Sequence, residues 1–145
     1  MFKKTTFIAI AMIAMGSFTF AGGKGGTEIA LANYGGLGVV ASRGIPLNIK
    51  FLSANGIVTY GEIELGAGFG DSLALGAELS GGLLIGLAPG ISIYGSLGPA
   101  IGVGNDASFG LGAEIGFNID VNNSSIVIEV GKHPASSYVG VGLRF

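Results

Sequence analysis

The chain has 145 residues, of which 49% are hydrophobic and 11% charged, and its formal net charge is −2. This length suggests a single domain. Cysteine is absent, which excludes a disulfide framework, a thiolate metal site and a cysteine nucleophile. The few basic residues are dispersed, and nucleic acid is excluded as a partner because a phosphate-binding surface needs clustered Lys and Arg.

The first 21 residues have the features of a secretory signal peptide. They contain a charged start, an apolar middle and a small-x-small cleavage site: Lys3 and Lys4, residues 7–15, and Thr19-Phe20-Ala21. The apolar middle is too short for a helix that stays in the membrane. We therefore predict that residues 1–21 are removed and that residues 22–145 form the mature domain.

From Ile29 to Phe145, apolar residues occupy alternate positions, with one change of phase over Ile126–Val130. A period of two predicts β-strands. Opposed residues of an antiparallel hairpin share a face, so the phase also constrains the turn lengths. Gly81-Gly82 keeps the phase and is interpreted as a kink, whereas a turn there would raise the strand count to ten. The pattern predicts eight strands, at about 27–41, 47–51, 57–68, 72–87, 91–104, 108–121, 126–132 and 137–145.

The two faces of these strands differ in chemistry. The apolar face is almost entirely hydrocarbon and carries every phenylalanine of the mature chain, whereas the seven acids predicted to lie on strands and all four tyrosines lie on the other face. The remaining acids, Asp71 and Asp106, are predicted to lie in turns. A barrel in water would place its apolar side chains inside. An apolar exterior instead matches lipid, where closure leaves no backbone group unpaired. We therefore predict an all-β fold, an antiparallel up-and-down transmembrane β-barrel of the Gram-negative bacterial outer membrane.

The inward face carries the candidate functional residues. Paired carboxylates can perform acid–base chemistry, but a narrow barrel commonly fills its lumen with polar side chains and water. We therefore predict a structural network and no catalytic, metal or cofactor site. Its members are Glu28, Lys50, Tyr60, Glu62, Glu64, Glu78, Tyr94, Glu114, Asp120, Glu129 and Arg144.

Two residues of this chain invite specific predictions. Arg144 should contact Glu28 where the last strand closes onto the first, with Asp120 as the alternative partner. His133, the only histidine, is followed by Pro134-Ala135-Ser136. This is not the His-x-Ser pair of an outer-membrane lipid A deacylase, and no orienting acid is evident. We interpret His133 as a loop residue.

The end of the chain has an alternating pattern that closes on an aromatic residue. It resembles the C-terminal signal by which outer-membrane barrels are recognised for assembly, and the residues that carry this likeness are Tyr138, Gly140, Leu143 and Phe145. The resemblance implies the barrel assembly machinery and periplasmic chaperones as partners, with outer-membrane lipid around the barrel.

The C-terminal third also resembles the YfaZ-type small outer-membrane proteins. The residues that carry this likeness are Ile126–Gly131, Tyr138–Val141 and the terminal Phe145. The resemblance implies a fold and a location, and it implies no biochemical activity.

Three functions are compatible with these features. The one we favour is a structural outer-membrane barrel with short loops and an acidic lumen that its own side chains fill. Inward glycines leave space, so a narrow porin-like channel for small solutes or ions is the second. An outer-membrane lipid-modifying enzyme is the third, and we expect the protein not to be an enzyme.

Overall fold

The structure is a computed structural model that describes residues 24–145, so the predicted signal peptide lies outside the described residues. Eight antiparallel strands follow one another around a closed barrel, and the last pairs with the first. This confirms the predicted fold. The elements are β1 (Gly26–Tyr34), β2 (Leu37–Leu47), the short helix α1 (Lys50–Ser53), β3 (Ile57–Phe69), β4 (Leu73–Ala88), β5 (Ile91–Val103), β6 (Ala107–Val121), β7 (Ser124–Lys132) and β8 (Ser137–Arg144).

The first third of the barrel differs from the prediction. The predicted strand 27–41 is a hairpin in which Gly35 and Gly36 turn the chain with φ of +63° and +134°. Asn33 opposes Leu37, so odd positions face odd positions across the turn. The alternation of apolar residues therefore continues unchanged, and the turn cannot be detected from it. The predicted strand 47–51 is wrong, because β2 ends at Leu47 and the chain continues into α1. One strand is gained and one lost, which leaves the count at eight.

The remaining strands lie close to their predicted positions. Gly81 and Gly82 lie within β4 and pair with Gly61 and Tyr60 of β3, so the ten-strand alternative is wrong. Asn122 turns the chain between β6 and β7 with φ of +55°. This left-handed conformation is one that Asn adopts more readily than most residues.

The up-and-down topology places the start of β1 and the end of β8 at one end of the barrel, here called the termini end, together with connections 48–56, 89–90 and 122–123. The opposite end holds the four remaining turns, at 35–36, 70–72, 104–106 and 133–136. Residues 42–46, which separate the first two predicted strands, lie within β2 and form no loop.

The two faces of the strands agree with the predicted orientation. The tyrosines are buried in the lumen, and the phenylalanines of the described part are exposed on the outside. Phe69 and Phe109 lie near the opposite end, whereas Phe51, Phe117 and Phe145 lie near the termini end. The exterior is therefore apolar, and the interior contains the polar side chains.

Candidate functional site

The lumen is the candidate site, and it holds nine of the eleven residues predicted there: Glu28, Tyr60, Glu62, Glu64, Glu78, Tyr94, Glu114, Glu129 and Arg144. The other two, Lys50 and Asp120, are exposed. Lys50 lies on α1, because the chain leaves the sheet after Leu47. Asp120 lies near the termini end of β6, where its Oδ1 accepts a hydrogen bond of 2.8 Å from Ser125 Oγ.

Lys24 is the centre of the first polar cluster, and sequence reasoning missed it. Its side chain is fully buried, and Nζ lies 2.7 and 2.9 Å from the two carboxylate oxygens of Glu62. Nζ also forms an ion pair with Glu114. The ammonium group lies 3.9 Å from the centroid of the Tyr94 ring and 4.9 Å from that of Tyr60. Lys24 thus neutralises charge at the middle of the lumen.

The chain enters the lumen through a glycine-rich segment. Gly26 has φ of +87°, a backbone conformation that side chains rarely permit, and it lies where β1 begins. A Cβ at Gly44 of β2 would overlap the carbonyl of Lys24, so glycine at this position allows the segment to pass. Lys24 precedes the first strand and belongs to no alternating pattern, so its position in the lumen could not be predicted from the sequence.

The electrostatic environment of Lys24 keeps its side chain charged. Burial by itself would lower the pKa of Lys24, but the carboxylates of Glu62 and Glu114 outweigh burial and raise it above its usual value. An ammonium group with three donors fits between two carboxylates and two aromatic faces. The cluster is therefore a buried ion pair enclosed by tyrosine rings.

His133 organises a second cluster, near the opposite end. Its sequence position is in the loop between β7 and β8, as predicted, but its side chain is buried inside the barrel. A hydrogen bond of 2.7 Å joins His133 Nδ1 to the Tyr34 hydroxyl. Nε2 lies 2.9 Å from a carboxylate oxygen of Glu64 and 3.4 Å from one of Glu78. His133 is thus a lumen residue, which a position in a loop could not indicate.

The short loop itself places the imidazole. The backbone N–H of His133 donates to the carbonyl of Ser136 at 2.8 Å, and that of Ser136 donates back at 3.2 Å. The Ser136 hydroxyl donates to the carbonyl of Ser137 at 2.9 Å. Ser136 is therefore bonded to backbone, whereas the His133 ring packs between the rings of Tyr34 and Tyr138.

We expect the stability of the barrel to depend on pH through His133. Burial by itself would lower the pKa of His133, but Glu64 and Glu78 outweigh it and raise the pKa from 6.5 to about 9. A raised pKa stabilises the folded state below the unfolded value of 6.5, and this contribution is lost as pH rises through about 9. Urea unfolding from pH 6 to 10 should therefore show a decline in the free energy of unfolding that is smaller in a His133→Gln variant. Parallel curves for the two proteins would contradict the ion pairing of His133.

The third polar contact closes the barrel, as the sequence predicted. Glu28 of β1 lies directly opposite Arg144 of β8, and the two side chains form an ion pair. Arg144 Nη1 also donates to Asn118 Oδ1 at 2.6 Å. Arg144 is therefore paired with Glu28, the first of the two predicted partners. Both members of the pair are buried, so the contact is shielded from water despite its place near the end of two strands.

This burial determines the expected coupling between Glu28 and Arg144. An exposed pair at a wet rim would contribute about 0–1 kcal/mol. For residues that share a buried polar network, double-mutant cycles give coupling energies of about 0.5–3 kcal/mol. We expect the cycle of Glu28→Gln and Arg144→Gln to give a value in the upper half of that range. Unfolding of the four proteins in detergent measures it, and additive effects of the two substitutions would contradict the seam contact.

Three carboxylates come together at the middle of the lumen. One oxygen each from Glu62, Glu64 and Glu114 can be chosen so that all three lie within 4.8 Å of one another. Carboxylates alone would suit a hard cation. Here the Lys24 ammonium already bridges Glu62 and Glu114, and the Tyr138 hydroxyl donates to Glu64 at 2.7 Å. The chain therefore supplies its own positive charge and hydrogen-bond donor to these acids.

Comparison with known proteins identifies the fold alone. No protein-family model and no curated protein sequence matches the chain. A de novo designed transmembrane β-barrel is 16% identical, with a TM-score of 0.55, over 85% of this chain and 97% of the other. The outer-membrane protein Ail of Yersinia pestis, whose structure was determined in a phospholipid bilayer nanodisc, is 14% identical, with a TM-score of 0.51, over 84% of this chain and 100% of the other.

In residues 24–145, no helix is long and apolar enough to cross a membrane.

Proposed function

We propose that the protein is a small outer-membrane β-barrel with a structural role, whose lumen is filled by its own polar side chains. The observation that carries this proposal is the contrast between the two faces of the strands. Large hydrophobic side chains such as Leu31, Phe109 and Leu111 are exposed on the outside, while charged side chains are buried within. In water such an exterior would associate with other apolar surfaces, whereas in a bilayer it is solvated by lipid.

The filled lumen favours the structural role over a channel. Lys24, Tyr34, Tyr60, Tyr94 and His133 project into a narrow barrel, and each is at most 2% exposed. Lys24, Tyr94 and His133 contact inward acids, the Tyr34 hydroxyl is hydrogen-bonded to His133, and the Tyr60 ring lies near the Lys24 ammonium. A conducting pore would need a continuous water path past these buried side chains, so we expect no steady conductance in planar bilayers.

The contacts of His133 favour the structural role over a lipid-modifying enzyme. His133 is bonded to Tyr34 and lies between Glu64 and Glu78, with no solvent-exposed ring edge. A general base must reach the proton that it abstracts. The buried imidazole instead serves to hold the β7–β8 loop inside the barrel.

The C-terminal strand is the proposed contact with the barrel assembly machinery and with periplasmic chaperones. Leu143 and Phe145 are exposed on the outside of the folded barrel, whereas the Tyr138 side chain is buried in the lumen. Tyr138 is accessible to a partner only before the barrel closes. We therefore propose that the assembly signal, Tyr138, Gly140, Leu143 and Phe145, is bound in the unfolded chain.

Substitution of an outward residue tests the location. Leu111→Arg should reduce stability in bilayers by about 2–4 kcal/mol if position 111 lies near the midplane, because a cation would enter hydrocarbon. Asp106→Arg, in the exposed turn 104–106, is the matched control and should have little effect. Both are measured as yield of folded, heat-modifiable protein in the outer-membrane fraction. Recovery of the unsubstituted protein in the soluble periplasmic fraction would overturn the proposal.

A further inference from the structure

The surroundings of Lys24 have the composition of a binding site for an ammonium ion. The nitrogen lies over the face of Tyr94, near that of Tyr60, and between the carboxylates of Glu62 and Glu114. These four residues are here called the ammonium cage. Aromatic faces attract cations through the ring quadrupole, and carboxylates accept the three N–H donors of a primary ammonium group.

The occupant of the ammonium cage is attached to the barrel by a segment that can turn. Lys24 is separated from β1 by Gly25 alone, and Gly26, the first residue of β1, has a positive φ of +87°. The ladder between β1 and β2 begins at Gly26 and Gly44. Lys24 thus enters from the termini end and lies outside the strand ladder, so its withdrawal would open the cage without breaking a strand pair.

The charge of the lumen also favours cations. Within residues 24–145, the buried acids are six glutamates, whereas the buried lysines and arginines are Lys24 and Arg144 alone. Arg144 is held at the seam by Glu28. Removal of the Lys24 ammonium would therefore leave Glu62 and Glu114 without their main counter-charge, in a site lined by two tyrosine rings.

We propose that the ammonium cage is a binding site for small primary ammonium ions and that Lys24 is its tethered occupant. A free ion of this class binds when Lys24 is withdrawn or removed, with its N–H groups on Glu62 and Glu114 and its charge over Tyr94. The site is a property of the lumen and does not depend on the membrane in which the barrel resides.

Chemical rescue tests the proposal. The Lys24→Ala protein is refolded from urea into detergent micelles, which gives the ion access before the barrel closes. Propylammonium chloride is compared with sodium, tetramethylammonium and magnesium chlorides at equal ionic strength. We expect propylammonium to raise the thermal unfolding midpoint of Lys24→Ala saturably toward that of the unsubstituted protein, whose own midpoint should not respond because Lys24 fills the cage.

Two comparisons make each outcome decisive. The double variant Lys24→Ala with Glu114→Gln should lose the response to propylammonium. If Lys24→Ala does not fold in sodium chloride, recovery of folded barrel in propylammonium alone supports the site, and failure in every salt overturns it. A response to propylammonium no larger than that to sodium also overturns it. Rescue by magnesium alone would overturn the ammonium assignment in favour of a divalent cation site.

Discussion

Replacement of Lys24 by Met should lower the free energy of unfolding by about 3–5 kcal/mol, because it removes one partner of a buried ion pair and leaves the other charged. The methionine retains much of the aliphatic length, so the loss would come from the missing ammonium group. Urea unfolding of the refolded barrel, followed by heat-modifiable gel mobility, measures the change. This is the largest single effect that we expect from a residue outside the strands.

Two controls separate charge from packing in the Lys24→Met experiment. Lys50→Met, on the exposed face of α1, should change stability by less than about 0.5 kcal/mol. Neutralising the cage as well, with Glu62→Gln and Glu114→Gln in the Lys24→Met background, should restore much of the loss, because the uncompensated carboxylates are then gone. A Lys24→Met barrel as stable as the unsubstituted protein would show that Lys24 does not occupy the lumen.

Gly98→Ala is expected to have the second large effect, a loss of about 1–3 kcal/mol from overpacking. A Cβ at this position of β5 would overlap the carbonyl oxygen of Leu79 and lie against the Cα of Ser80, both on β4. Backbone atoms in a closed barrel cannot turn aside as a flexible side chain can. The neighbouring strands would therefore have to separate, which the same urea titration would detect.

Gly81→Ala is the matched control, because it adds the same methyl group in the interior of a strand. A Cβ at Gly81 of β4 would have no atom within 4 Å, and Gly81 pairs regularly with Gly61 and Leu97. Its substitution should be neutral or stabilising by up to about 1 kcal/mol, since alanine restricts the unfolded chain. Equal effects at positions 81 and 98 would contradict the close approach of β4 and β5.

Lumen residues that lie on strands could be predicted from the sequence. Alternation assigned Glu62, Glu114 and Arg144 to the inner face, because the direction of a strand side chain follows from its position in the period. The contact of Arg144 with Glu28 followed from closure, which fixes the neighbours at the seam. Such residues can be placed from sequence because the sheet itself positions them.

Lys24 and His133 could not be placed in this way. Both lie outside the strands, where no period relates sequence position to direction, and both reach the lumen through the path of a short segment. Lys24 depends on Gly26 and on the space at Gly44, and His133 depends on the backbone hydrogen bonds of a four-residue loop. The positions of these two side chains depend on contacts with strands that are distant in sequence, and these contacts exist only in the folded barrel.

The sequence by itself determined the strand class and the chemistry of each face, because both depend on a local period of two. The predicted strand count agrees with the structure only because one missed strand offsets one that was wrongly predicted. The sequence did not determine where the first hairpin turns, since the pairing of Asn33 with Leu37 preserves the phase on both sides of the turn. Only the tertiary structure decided that turn, the course of the chain after Leu47, and the positions of Lys24 and His133 beside the inward acids. The physical reason is that turns which conserve the period leave no trace in it, and that buried charges outside the strands are positioned by contacts distant in sequence.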